Sequence, residues 1–141
     1  MNGHLLDTNV VSELTSENSA PQVIAYLDDL DEHWLSSVVV HEMEYGVQVL
    51  PMGRRRERIY AAHIRLLETY SDRIIPLERP AAEWAAQFRV QLERQGRSID
   101  LADALIAGTA MAHNLALVTR NVRDFAGLDI EIINPWEYET S

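Results

Sequence analysis

Two hydrophobic periods alternate along this chain, and that alternation limits its fold more than any other feature. Five short apolar runs, "HLL" at 4–6, "WLSS" at 34–37, "RIIPL" at 73–77, "LALVT" at 115–119 and "IEII" at 130–133, read as strands. Between them apolar residues return at helical spacing. Val23, Leu27 and Leu30 mark one helix, Val40, Met43, Val47 and Leu50 a second, and Ile59, Leu66 and Tyr70 a third. Ala81, Ala85, Phe88 and Leu92 mark a fourth, and Leu101, Leu105, Gly108 and Ala112 a fifth. The breakers Pro21, "PMG" at 51–53, Pro80, Gly96 and "NP" at 134–135 fall between these segments. Strands separated by helices join a parallel sheet through crossovers. The pattern therefore predicts an α/β fold, a short central parallel sheet flanked by helices on both faces. With 141 residues, no repeat and no low-complexity tract, a single domain over 1–141 is expected. In such sheets ligands gather beyond the carboxyl ends of the strands.

Composition narrows the chemistry. The chain has no cysteine, which excludes disulfides and thiolate metal sites. It has no lysine either, so every basic residue is arginine. P-loop NTPases, phosphoaspartate receivers and haloacid-dehalogenase-type phosphatases all rely on a lysine, and all three become poor fits. The formal charge of −10 argues at face value against a nucleic-acid partner. Enzymes that hold metal ions, however, concentrate carboxylates for the metal, so the distribution of charge matters more than its sum. "RRRER" at 54–58 is the dense basic patch, and "DDLDE" at 28–32 is its acidic counterpart. The most apolar long stretch, "ALIAGTAMAHNLALV", carries Thr109, His113 and Asn114 and is not a membrane span. The first ten residues hold no Lys or Arg and already include Asp7, so no secretory leader is expected and a cytoplasmic location is.

Three carboxylates stand out. Asp7 follows the first strand, where it can cap the helix "VVSEL" or belong to a site. Glu42, in "SSVVVHEMEYGV", falls in the first turns of the next helix, where an acid also suits the positive helix end. Gly46 lies four residues on, on the same face. A glycine there costs about 1 kcal/mol relative to Ala and leaves open space beside the Glu42 carboxylate. Asp103, in "SIDLADALIAGTA", shares a stripe with the small residues Ala107 and Ala110, while Asp100 is read as that helix's N-cap. The strand "LALVT" ends in Thr119, Arg120 and Asn121, with Asp124 nearby. Acids from three parts of the chain repel one another when they converge, and a divalent cation relieves that repulsion. Oxygen ligands without Cys or paired His favour a hard ion, Mg²⁺ or Mn²⁺, which suits phosphoryl chemistry.

These segments together resemble the PIN-domain ribonucleases, specifically the VapC-type toxins and most closely their FitB-like or plasmid-stability branch. The resemblance rests on "LLDTNVVSEL", on "LSSVVVHEMEYGV", and on "DLADALIAGTAMAHNLALVTRNVRDF" leading to "INPW", and so covers nearly the whole chain. It implies that Asp7, Glu42 and Asp103 form an acidic cluster that is both catalytic and metal-binding, with Mg²⁺ as cofactor and Mn²⁺ as a substitute. Asn9 and Thr119 match the family's polar supports. Many members carry a fourth acid where this chain has Asn121, which puts a second metal in doubt, although Asn121 can still coordinate and Asp124 can substitute. The implied activity is endoribonucleolytic hydrolysis of RNA by water. The implied partners are a second copy of the chain and a VapB-like antitoxin, in a homodimer or a larger toxin–antitoxin complex, with no membrane.

For RNA phosphates the candidates are Arg120 and Arg123, close to the site, and Arg54 and Arg55 on the groove rim. The five histidines form no ligand pair. Trp34 and Trp84 read as core, and Trp136 as an anchor for the terminus. Ser12, Ser36 and Ser37 lack any triad context, and Glu13 reads as an exposed acid. Two other functions fit the same residues: a PIN-type nuclease of RNA maturation, and a binding module that keeps the fold without catalysis.

Overall fold

In the computed structural model, which describes residues 3–139, every expected strand is present, the last three of them shorter than their apolar runs. The strands are β1 (His4–Leu6), β2 (His33–Ser36), β3 (Ile74–Ile75), β4 (Ala116–Val118) and β5 (Ile132–Ile133). All pairings are parallel, in the order β3-β2-β1-β4-β5. Successive strand residues point to opposite faces, yet Leu5 and Leu6 of β1 are both fully buried, as are Leu117 and Val118 of β4. Both faces of the sheet are therefore covered, as the continuous apolar runs predicted.

The helices are α1 (Thr8–Leu14), α2 (Pro21–Asp28), α3 (Ser37–Gln48), α4 (Arg54–Thr69), α5 (Arg79–Glu93) and α6 (Leu101–Ala112). Short 3₁₀ turns follow at Val122–Phe125 and Pro135–Glu137. The chain steps outward from β1 to β2 to β3, then returns through α5 and α6 to β4 on the other side of β1. Right-handed crossovers place the outward and returning helices on opposite faces. The strand order reverses between β1 and β4, so the switch point of the sheet lies at Asp7 and Thr119.

Some details differ from the sequence reading. Helix α2 stops at Asp28, before Leu30, which packs on the core from the following turn. The buried stripe of α3 runs through Val38, Val39, Met43 and Val47 rather than through Val40. Trp34 and Trp84 are only partly buried against the core, and the Trp34 ring nitrogen donates to Glu32 at 2.7 Å. Gly108 marks a contact rather than a period. A methyl group built on it would stand 2.2 Å from the Ala81 carbonyl oxygen and 2.9 Å from the Ala85 nitrogen, so α5 and α6 cross backbone to backbone. Among the described residues no helix is long and apolar enough to cross a membrane.

Candidate functional site

The site grows from the end of β1. The backbone N–H of Asp7 continues the sheet by donating to the Val118 carbonyl at 2.9 Å, which draws the side chain in beside the end of β4. That side chain is 2% exposed and caps α1 by accepting from the Thr8 amide at 2.8 Å. Its other oxygen accepts from the Thr119 hydroxyl at 2.7 Å and the Asn9 amide at 3.2 Å. Asn9 also donates to the Thr119 hydroxyl at 3.2 Å and accepts from the Arg120 amide at 3.1 Å. The Asn121 amide donates to Thr119 at 3.1 Å, so this backbone beyond β4 is laced to the end of β1. Burial raises the Asp7 carboxyl above its ordinary range and the charge of Asp124 adds to this, while the bonds from Thr119, Thr8 and Asn9 oppose it.

The helices bring further acids to the same place. Asp103 sits in the first turn of α6 and is pushed up to about 6, first by burial and then by the charges of Asp7, Asp100, Asp124 and Glu42. Those four acids come from the end of β1, the start of α6, the turn after β4 and the second turn of α3. Neither Asp7 nor Asp103 forms an ion pair among the described residues. Glu42 is more open, its side chain 30% exposed, with His41 Nδ1 3.6 Å away. Nothing would lie within 4 Å of a methyl group on Gly46, which leaves the space beside Glu42 open. Among the described residues, no three His, Asp or Glu side chains already close around a point that could hold a metal ion.

A PIN-domain family model matches residues 4–131. The chain belongs to the PIN-domain family. The toxin FitB of Neisseria gonorrhoeae is 35% identical over 135 residues, covering 94% of this chain and 97% of the relative. The VapC ribonuclease Y4jK of Sinorhizobium fredii is 34% identical over 137 residues, covering 94% and 97%. The crystal structure of FitAcB from Neisseria gonorrhoeae superposes with a TM-score of 0.83 at 36% identity, covering 95% of this chain and 99% of that one.

Within this PIN domain the structure joins Asp7, Asn9 and Thr119 by hydrogen bonds and places Glu42 and Asp103 within reach of the same charge cluster. The Asn121 side chain is exposed and makes no hydrogen bond among the described residues, whereas the charge of Asp124 raises both Asp7 and Asp103. Asp100 holds the N-cap position of α6 without a side-chain cap bond, and its charge acts on Asp103 instead. The Arg120 guanidinium rests on the Trp136 ring at 4.9 Å, at the edge of the site. Arg123 is exposed. Arg55, with Glu42, Gly46 and Arg58, lines a groove of about 710 Å³ between α1, α3 and α4, while Arg54 is exposed outside that lining. Arg58 pairs with Glu17 at 3.1 Å.

Glu13 is not the free acid its position suggested: its carboxylate accepts from the Ala20 amide at 2.6 Å, just before α2. Ser36 caps α3 through Val39 at 3.1 Å, and Ser37 accepts from Leu77 at 2.9 Å, which gives both serines structural work. Arg97 escaped the sequence reading. Nothing in "RQGRS" distinguishes it from a surface arginine.

Proposed function

We propose that this chain is a metal-dependent endoribonuclease acting as the toxin of a VapBC-type pair. The carrying observation is the Asp103 carboxyl, pushed up to about 6 by burial and by four acids from separate elements. Relatives named as a toxin and as a ribonuclease supply the substrate class. The donor set fits a hard divalent ion, because Asp7, Asp103, Glu42 and Asp124 offer carboxylate oxygens and no sulfur or imidazole competes among them. Asp7, Asp103 and Glu42 would hold Mg²⁺, with Asn121 or Asp124 completing the set and Mn²⁺ as a substitute. When bound, the ion would polarise a phosphate oxygen and help generate hydroxide from water. Glu42 is the more open acid, its side chain 30% exposed at the groove that Gly46 also lines. Thr119 and Asn9 hold the Asp7 carboxylate in one orientation and keep its oxygens from turning away. Arg120 and Arg123 would contact the flanking phosphates, and Arg55 a phosphate or an acidic antitoxin segment in the groove. The working assembly is a homodimer masked by a VapB-like antitoxin in the cytoplasm.

Cleavage of structured RNA with and without EDTA, for wild type, Asp7→Ala and Asp103→Asn, tests this reading. Cleavage should need the metal and fail in both variants, and full activity in EDTA or in either variant would overturn it. A binding module without catalysis is the second reading, favoured by the lack, among the described residues, of three ligands already closed around one point. A Mn²⁺ titration separates the two, since a degenerate site would not bind at millimolar metal.

A further inference from the structure

Arg97, just beyond α5, sends its donors to one turn. Its guanidinium donates to the carbonyl of Ala126 at 2.6 Å, of Arg123 at 2.9 Å and of Asp124 at 3.5 Å, and to the Gln95 side chain at 3.3 Å. Gln91, on the last turns of α5, donates to the next carbonyl, Gly127, at 2.9 Å. The segment 123–127 is thus tied to the end of α5 by four of its five carbonyls. Phe125, fully buried, pins the same segment from the core side. Arg97 has no carboxylate partner among the described residues, so its charge is spent on backbone dipoles. A planar fork with five donors can hold several carbonyls of one turn in fixed relation. The same turn carries Asp124, whose charge is felt at both Asp7 and Asp103.

We propose that Arg97 is a positioning residue for the acidic site, holding the turn Val122–Phe125 so that Asp124 stays beside Asp7 and Asp103 as the acid that Asn121 does not supply. The proposal rests on the metal-nuclease reading above. Removing a group that orients a metal-site residue typically weakens metal affinity about 10- to 100-fold. A general loss of stability would instead lower the melting midpoint and leave Mn²⁺ affinity intact.

The experiment is calorimetric Mn²⁺ titration of wild type, Arg97→Ala, Arg97→Lys, Asp124→Asn and the double variant Arg97→Ala/Asp124→Asn. Amide hydrogen exchange is measured on the metal-free proteins. Arg97→Ala and Asp124→Asn should each raise the Mn²⁺ dissociation constant about 10-fold. The double variant should bind no more weakly than Asp124→Asn alone, because both changes act through one carboxylate. Arg97→Lys keeps the charge and loses the fork, so its affinity should fall between wild type and Arg97→Ala. Without metal, the amides of 123–127 should exchange faster in Arg97→Ala while those of β1 and β4 stay protected. Unchanged affinity in Arg97→Ala or in Asp124→Asn, or additive losses in the double variant, overturns the proposal. If Arg97→Ala does not fold, the same cycle is run with Arg97→Lys and judged by the same criteria. Wild type that binds no Mn²⁺, or Asp103→Asn that binds it as well as wild type, overturns the metal reading itself, whatever Arg97 does.

Discussion

Asp7 accepts hydrogen bonds from Thr8, Asn9 and Thr119, whereas Asp103 accepts none among the described residues and meets the charges of Asp7, Asp100, Asp124 and Glu42. The strand-borne half of the site is satisfied by the protein, because β1 and β4 end side by side and their polar residues bond across the gap. The helix-borne half is left with repulsion. A half-buried acid without donors or a counter-ion holds its proton to a higher pH than a free one and favours a cation beside it. The orientation of the site is therefore built at the strand ends, while the unrelieved charge repulsion sits on the helix.

The largest expected effect breaks this division at Asp103. Asp103→Asn should lower kcat/KM for RNA by more than about 100-fold, above the loss from removing an orienting partner. It should also raise the melting midpoint of the metal-free protein, because a repelled half-buried charge is gone. Cleavage rates and thermal melts check both halves of that statement. A melting midpoint that falls would mean that Asp103 is held by bonds after all.

Thr119→Val tests the strand-borne half. It removes the strongest bond to Asp7 and leaves a buried oxygen short of a donor, at about 1–3 kcal/mol of stability. Activity should drop about 10- to 100-fold, mainly in kcat. Urea unfolding and steady-state kinetics read the two effects.

A pH series sharpens the contrast further. In the unfolded chain Asp103 titrates near 3.8, and in the native protein at about 6. Between those values the native state binds more protons, so Asp103's contribution to stability falls as pH rises through this window. The metal-free melting midpoint should drop more steeply from pH 4 to 6 in wild type than in Asp103→Asn. Mg²⁺ should restore more stability at pH 7 than at pH 5, since the proton no longer competes. Parallel pH profiles for the two proteins would refute the assignment.

The smallest effect concerns Gly46. Gly46→Ala meets nothing within 4 Å and should stabilise α3 by about 0.5–1 kcal/mol with cleavage retained. Gly46→Trp should keep that fold and lower cleavage by filling the groove that Glu42 and Arg55 line. Melting and cleavage of the pair decide between them.

Much of this was legible in the residues themselves. The short runs around Leu5, Leu35, Ile75, Leu117 and Ile132 announced strands because a strand buried on both faces must be apolar at consecutive positions. Asp7, Glu42 and Asp103 were visible because each acid followed a strand or opened a helix. The network around them was legible only through the family resemblance, since Thr119 and Asn9 lie 110 positions apart and meet only when β1 and β4 pair. Asp100 and Glu13 show the opposite error. A local rule placed Asp100 at the N-cap of α6 but not its missing cap bond, and it left Glu13 without the backbone bond at Ala20 that the fold supplies. Arg97 carried no signal, because its partners are backbone carbonyls that exist as a set only in the folded turn.

By itself the sequence determined the α/β class, the strand-to-helix order and the identity of the acids, because hydrophobic period and side-chain chemistry are local properties. Tertiary structure decided which strands are neighbours, and so which acid is bonded and which is repelled. Burial and charge–charge distance belong to no single residue. The reversal of strand order between β1 and β4 sets both at once.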